Sequence, residues 1–401
     1  MRNFVFVTVL IIIGLFGFQK ALFGDDTIRN CKKGHYYFKT LYNADALDIQ
    51  NQNRTSTCWS FSALSFFESE AMRLGNGKHK LSEMFVVRSA YIEKAKQYVR
   101  YHGHVNFAEG GAFHDIPLVI KKYGMVPESV YQGLEYGLEN HNHAEMVAAL
   151  TGFLNGIIAN KQGKLTPAWI KAYEGILDAY LGKVPEKFDY QGKSYTPKSF
   201  AESLGLEMDN YVALSSFSHH PFYDYFIIEV PDNWAQKEVF NLPLDNFMEV
   251  MTEGVKNGFS FAWGADVSEK GFAYRYGLAI VPSDDNNLAM KGQDKSGFRS
   301  AGAERKGSQL LYPGKEKEIH QKMRQEAFDN YASTDDHGMH VTGLVEDQNG
   351  TPYFKVKNSW GKSNDCQGFL YASMPYVAYK TINILIHKNA LPKSLLKTLS
   401  K

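Results

Sequence analysis

One stretch constrains this chain more than any other: Gln52-Asn53-Arg54-Thr55-Ser56-Thr57-Cys58-Trp59-Ser60-Phe61-Ser62. A polar turn ends in a cysteine and runs straight into an apolar segment with Phe61, Leu64, Phe67, Ala71 and Leu74 at near-helical spacing. Gly75-Asn76-Gly77 stops the pattern, so the spacing predicts a buried helix over residues 57–74 with Cys58 in its first turn. Free N–H groups and the positive dipole end at that tip favour an anion, and lower a thiol's pKa toward thiolate. Gln52, a short turn upstream, can curl back and place a side-chain N–H beside the sulfur. A nucleophile with an adjacent donor is the core of acyl-transfer chemistry. Taken alone, a single cysteine is more often a small buried hydrophobe, so the rest of the chain has to decide.

The chain has 401 residues, 44% of them hydrophobic and 22% charged, enough for one large globular domain or two. Its net charge of +1 predicts no generally basic surface and no nucleic-acid partner. Three cysteines, Cys31, Cys58 and Cys366, are no disulfide framework. Either Cys31 pairs with Cys366 in an oxidising compartment, or both are buried thiols. Residues 1–24 are a different material: Arg2 precedes an almost wholly apolar run over 4–18. That run is short for a membrane span and suits a signal peptide, with cleavage expected within 21–24. An uncleaved N-terminal anchor is the alternative. Either way the body is exported, to a periplasmic or extracellular space, and cleavage leaves no stable membrane anchor.

Along the chain, Ser82 caps a second helix running past Tyr98. Gly110-Gly111 is either a tight turn or a point where backbone comes close to a neighbour or ligand. A helix is expected over 113–124, then a mostly helical insertion at about 125–242. Its aromatic stripe, Trp169, Tyr173, Ile176, Leu177 and Tyr180, reads as core packing. Pro243 opens a further helix, to 257. Strands are expected over 259–263, 276–281, 339–346, 353–358 and 368–372, a polar loop over 285–307, and helix over 316–331. Asn349-Gly350 is a hairpin turn between two of these strands. Helices first and strands second give an α+β fold.

A thiolate needs a base that becomes its ion-pair partner, and the base needs a third group to hold its ring. Asp336-His337-Gly338 puts His337 where a strand begins, and Asn358-Ser359-Trp360-Gly361 puts Asn358 where the next strand ends. The hairpin brings both to one end of adjacent strands. The Asn358 carbonyl can then accept from the imidazole, and Trp360 can shield the bond from water.

Gln52, Cys58-Trp59, Asp336-His337-Gly338 and Asn358-Ser359-Trp360-Gly361 together resemble the papain superfamily of two-lobed cysteine peptidases. The resemblance implies a helical lobe carrying the cysteine helix and a β-rich lobe carrying the histidine and asparagine. It implies Cys58 as nucleophile, His337 as base and acid, and Asn358 as orienter. Gln52 and the Cys58 N–H would form the oxyanion hole, and Gly110-Gly111 the backbone edge that pairs with an extended substrate. His337 and Gly343 fit the family's His-Gly order; His340 reads as a packed or hydrogen-bonded histidine.

Two departures point to a branch. Asn53-Arg54-Thr55-Ser56-Thr57 replaces the usual Gly-Ser-Cys turn, and His337 lies far beyond the family's roughly 130–150-residue spacing from the cysteine. Both features are similar to bleomycin hydrolase and bacterial aminopeptidase C. That branch implies peptide substrates, removal of N-terminal residues and a homohexameric barrel. It also implies a C-terminal arm in the cleft, whose end carboxylate holds the substrate amine. The chain ends at Lys401, soon after Leu391-Pro392-Lys393, so much of that arm is expected to be lacking; Leu391, Leu395, Leu396 and Leu399 suit a docked terminal helix. Endopeptidase activity and a non-catalytic peptide-binding scaffold stay as alternatives. His102/His104, His141/His143 and His219-His220 lack HExxH or CxxC spacing, and neither metal nor organic cofactor is expected.

Overall fold

The computed structural model describes residues 27–161, 163–291 and 303–399. The expected signal segment and its cleavage region lie outside these residues. Two large apolar cores divide the molecule. The first is helical. The cysteine helix, Cys58–Arg73, is buried from Cys58 through Ala71, because apolar or small residues surround its axis. Helix Glu83–Arg100 packs beside it, capped by the Ser82 hydroxyl, which accepts from the Phe85 N–H at 3.0 Å. Helix Asp115–Tyr123 ends at Gly124, whose φ of 87° suits a glycine.

Helices Ala144–Ile158 and Ala168–Leu181 drop Leu150, Leu154, Tyr173 and Leu177 into the same core as Leu64, Phe67 and Tyr91. The aromatic stripe is therefore packing, with the Tyr173 hydroxyl donating to the Tyr91 carbonyl at 3.0 Å. This block does not stay helical to 242. After helix Pro197–Ser203 come strands Tyr211–Ser215, Tyr225–Ile227 and Glu238–Asn241. They extend the main sheet, Tyr211–Ser215 pairing antiparallel with Thr381–His387. The short run Tyr-Val-Ala-Leu-Ser is too brief for a helical period and buries nearly every residue, which suits a strand.

The second core lies under the sheet. Strand His337–Glu346 is central, flanked antiparallel by Phe261–Ala265 and by Pro352–Lys357. Phe369–Ser373 follows Pro352–Lys357, and Thr381–His387 lies on the far side of Phe261–Ala265. Gly350 (φ 78°) turns the hairpin. The expected strand at 276–281 shrinks to Leu278–Ala279 after a turn at Tyr274–Tyr276. The expected loop at 285–307 carries a small ribbon, Ala289–Lys291 with Glu304–Lys306; residues 292–302 lie outside those described. Helix Lys393–Leu399 docks through Leu395, Leu396 and Leu399 on the sheet core. Cys31 and Cys366 are buried free thiols, the latter donating to the Asn30 carbonyl at 2.9 Å.

Lys380 is buried and donates to Asp266 at 3.2 Å, to Glu269 and to the Ala332 carbonyl. Removing one partner of such a group strands the opposite charges. Lys380→Met should lower unfolding free energy by about 3–5 kcal/mol, read from urea melts followed by circular dichroism.

Candidate active site

The turn before Cys58 is held from within. Thr55 Oγ1 donates to the Gln52 carbonyl at 2.8 Å and lies 2.6 Å from Thr57 Oγ1. Asn53 and Ser56 take left-handed φ values of 52° and 51°, which bends the chain sharply into the helix. Strand His337–Glu346 then begins directly against the helix tip. The backbone of Gly338 and of Trp59 lies near the Cys58 sulfur and favours its ionised form. A Cβ on Gly338 would stand 2.7 Å from Ser62 Oγ and 3.4 Å from the Cys58 carbonyl carbon. Only glycine lets the strand approach this closely.

His337 Nε2 lies 2.7 Å from Asn358 Oδ1. The same Oδ1 accepts from the Ser359 N–H at 2.7 Å, so it is the oxygen, and Nε2 carries the proton. Nδ1 is then the ring atom for proton exchange with the sulfur. Trp360 covers the imidazole, ring centroids 4.6 Å apart. Asp336, just before the histidine, accepts from Val267 N, Ser268 N and Ser268 Oγ, which pins the strand's start. Gln52 is buried, and its Oε1 accepts from Ser359 Oγ at 2.6 Å. With the amide in this orientation its N–H donors face away from Ser359. The Gln52 N–H donates to the Ser359 carbonyl at 2.8 Å, and Gly361 N to Gln50 O at 3.0 Å, so the turn is strapped to the asparagine segment.

Known proteins bear on this arrangement. A Peptidase C1-like family model matches residues 316–401, the part carrying His337 and Asn358. An aminopeptidase C of Streptococcus thermophilus is 24% identical over 86% of this chain and 81% of its own. One from Listeria monocytogenes is 22% identical over 88% and 83%. The crystal structure of PepW from Lactobacillus rhamnosis HN001 superposes with a TM-score of 0.65 at 20% identity, covering 90% of this chain and 84% of the other. The chain shares the fold of PepW and is similar to C1-like cysteine peptidases.

The electrostatics of the site differ from those expected at a helix tip. Burial pushes the Cys58 thiol up to about 12, and the nearby backbone and the dipole do not offset it. Burial likewise pushes the His337 imidazole down to about 4, against the bond to Asn358. Each value penalises one charge created alone in a desolvated site. Moving the proton from Sγ to Nδ1 would create two opposite charges at once, so the ion pair belongs to the pair and not to either member.

The expected edge glycines lie beside Trp59, and they are not bare. The Trp59 indole donates to the Glu109 carbonyl at 3.0 Å, and Lys94 donates to the Gly110 carbonyl at 2.5 Å. A Cβ on Gly111 would meet Asp115 and Trp59 at 2.8 Å; one on Gly110 would meet Asp232 at 2.0 Å. A groove of about 1360 Å³ runs along the turn from Glu109 past Gln52 and Arg54 to Trp360. His340 bonds Ser65 Oγ at 3.0 Å on the cysteine helix, a packing role, and Ser65 also accepts from the buried Lys357 at 2.8 Å. Of the other histidine pairs, His219 and His220 meet Glu229 at 3.0 and 2.6 Å; among the described residues this is the one trio that could hold a metal, and it includes none of the candidate catalytic residues. Sequence reasoning missed Thr55, Ser359 and Asp232. Ser359 had a signal, since it follows the asparagine directly; Asp232 had none, because 122 residues of chain separate it from Gly110 and only the fold closes that gap.

In Cys58→Ala the imidazole should titrate alone, near 4. In the wild type the thiolate partner should hold the imidazolium to above neutral pH, so His337 NMR resonances should titrate later than in the variant. Ser359→Ala should release the Gln52 amide and lower kcat about tenfold, less than the roughly 100-fold or more of losing an oxyanion donor. Steady-state kinetics beside an unchanged melting temperature would check it.

Proposed function

We propose that this peptidase is an exported aminopeptidase working through an acyl-enzyme. Cys58 attacks the scissile carbonyl. Gln52 Nε2 and backbone N–H hold the oxyanion, and His337 passes the thiol proton to the leaving amine. Asn358 keeps the ring in its tautomer, and Trp360 shields that bond. Water then releases the acyl group by the reverse path, so no metal or organic cofactor takes part.

The observation that carries the reading is the carboxylate of Asp232 over the Gly110 edge, where Lys94 already holds the carbonyl. Backbone is obstructed there, which suits a substrate that ends near the sulfur. The relatives named aminopeptidase C agree with this reading. Export is read from the apolar run at 4–18, and assembly into a hexamer from the resemblance alone.

A peptide and its N-acetylated twin decide the matter. Under reducing conditions the free-amine peptide should lose residues one at a time from its N-terminus, while the twin is left whole, as followed by mass spectrometry. Cys58→Ser should remove the activity and keep the fold. Internal cleavage of both peptides would replace this reading with an endopeptidase.

A further inference from the structure

The carboxylate at Gly110 is held in place by its whole loop. Asn106 Nδ2 donates to Asp232 Oδ1 at 3.0 Å. The next residue, Asn233, donates to the carbonyls of Ile228 and Lys237 and accepts from the Lys237 N–H. Trp234 then donates to the buried Asp115 at 2.7 Å, and Asp115 also accepts from Ala112 N beside the edge glycines. The loop therefore rests on the substrate edge through several buried bonds.

Two independent facts bear on what Asp232 does there. The first is steric. Its Oδ2 lies 2.0 Å from the point where a Gly110 Cβ would be, over backbone that an extended peptide would otherwise line, and the Gly110 carbonyl is already taken by Lys94. A chain bound at Cys58 must stop at this point. The second is electrostatic. Among the described residues no lysine or arginine forms an ion pair with Asp232, and its negative charge acts on the Cys58 sulfur against ionisation. Lys94 acts on Asp232 through space but donates to the Ala108 and Gly110 carbonyls. Lys94 is thus the cation near Asp232, and its charge is shared with Asp115 and Glu109.

We propose that Asp232 receives the substrate's free α-ammonium group over Gly110, and so sets the first peptide bond at Cys58. The ammonium adds positive charge to that which Lys94 provides, offsets the acidic field at the sulfur, and makes the free N-terminus part of the nucleophile's activation. This assignment rests on the aminopeptidase reading.

The test compares a dipeptide amide with its N-acetyl twin on wild type and Asp232→Asn. For the free-amine substrate, KM should rise roughly 10- to 100-fold, the loss expected for one hydrogen bond to a charged group, with kcat within about threefold. Stoichiometric alkylation of Cys58 and an unchanged melting temperature would show an intact site. Asn106→Lys gives Asp232 a built-in cation without altering its loop, and should raise the same KM; it keeps the test open if Asp232→Asn fails to fold. Wild type that cuts both twins alike overturns the aminopeptidase reading itself. Wild type that requires the free amine, while neither variant changes KM, overturns only the assignment to Asp232. An equal fall in kcat with every substrate would make the loop merely structural and overturn it too.

Discussion

The contact on which the rest depends is the one between Gly338 and the tip of the cysteine helix. Two cores, one helical and one under a sheet, meet there, where a glycine leaves room for the Ser62 and Phe113 side chains. Because the strand starts against the helix, His337 is delivered to the sulfur by backbone geometry. The opposite wall is tied by a second seam, where Gln50 and Gln52 bond the segment around Ser359 and Gly361. Four residues from distant parts of the chain are thus placed by two short runs of main-chain bonds, which are stiffer than side-chain packing.

That closeness has an electrostatic consequence. Raising the Cys58 thiol from 9.0 to about 12 makes a lone thiolate dearer by roughly 4 kcal/mol. Attraction between unit charges about 4 Å apart at an effective dielectric near 20 is also about 4 kcal/mol. Pairing therefore offsets the thiolate's share of the burial cost but not the imidazolium's, so the ion pair needs a further favourable field. The acids near the sulfur act against it, and a bound cation acts for it, so occupancy of the cleft and reactivity of the nucleophile are linked.

The same balance explains why acids recur around this site. Burial raises Asp115 to about 7 and Asp335 to about 8, so each resists ionising without a cation nearby. Lys94, whose own charge burial disfavours, is the cation acting on Asp115 and Asp232. A buried acidic wall with little positive charge of its own is poised to bind positive charge.

Much of this was legible before folding. The apolar period after Cys58, the Asn-Gly hairpin and the positions of His337 and Asn358 are local patterns, each set by a few neighbouring residues and the repeat of a helix or strand. The helix tip's thiolate was misjudged because burial is a property of the whole molecule, and it outweighed a local dipole. The end of the helical block was misplaced because Tyr211–Ser215 is a strand by virtue of Thr381–His387 beside it. Ser359 on Gln52 and Asp232 on Gly110 could not be read at all, since partners so far apart in sequence leave no periodic trace. The sequence by itself determined which groups react; tertiary structure alone decided their charge state and where a substrate must end, because both depend on what desolvates and surrounds a group and not on its neighbours in the chain.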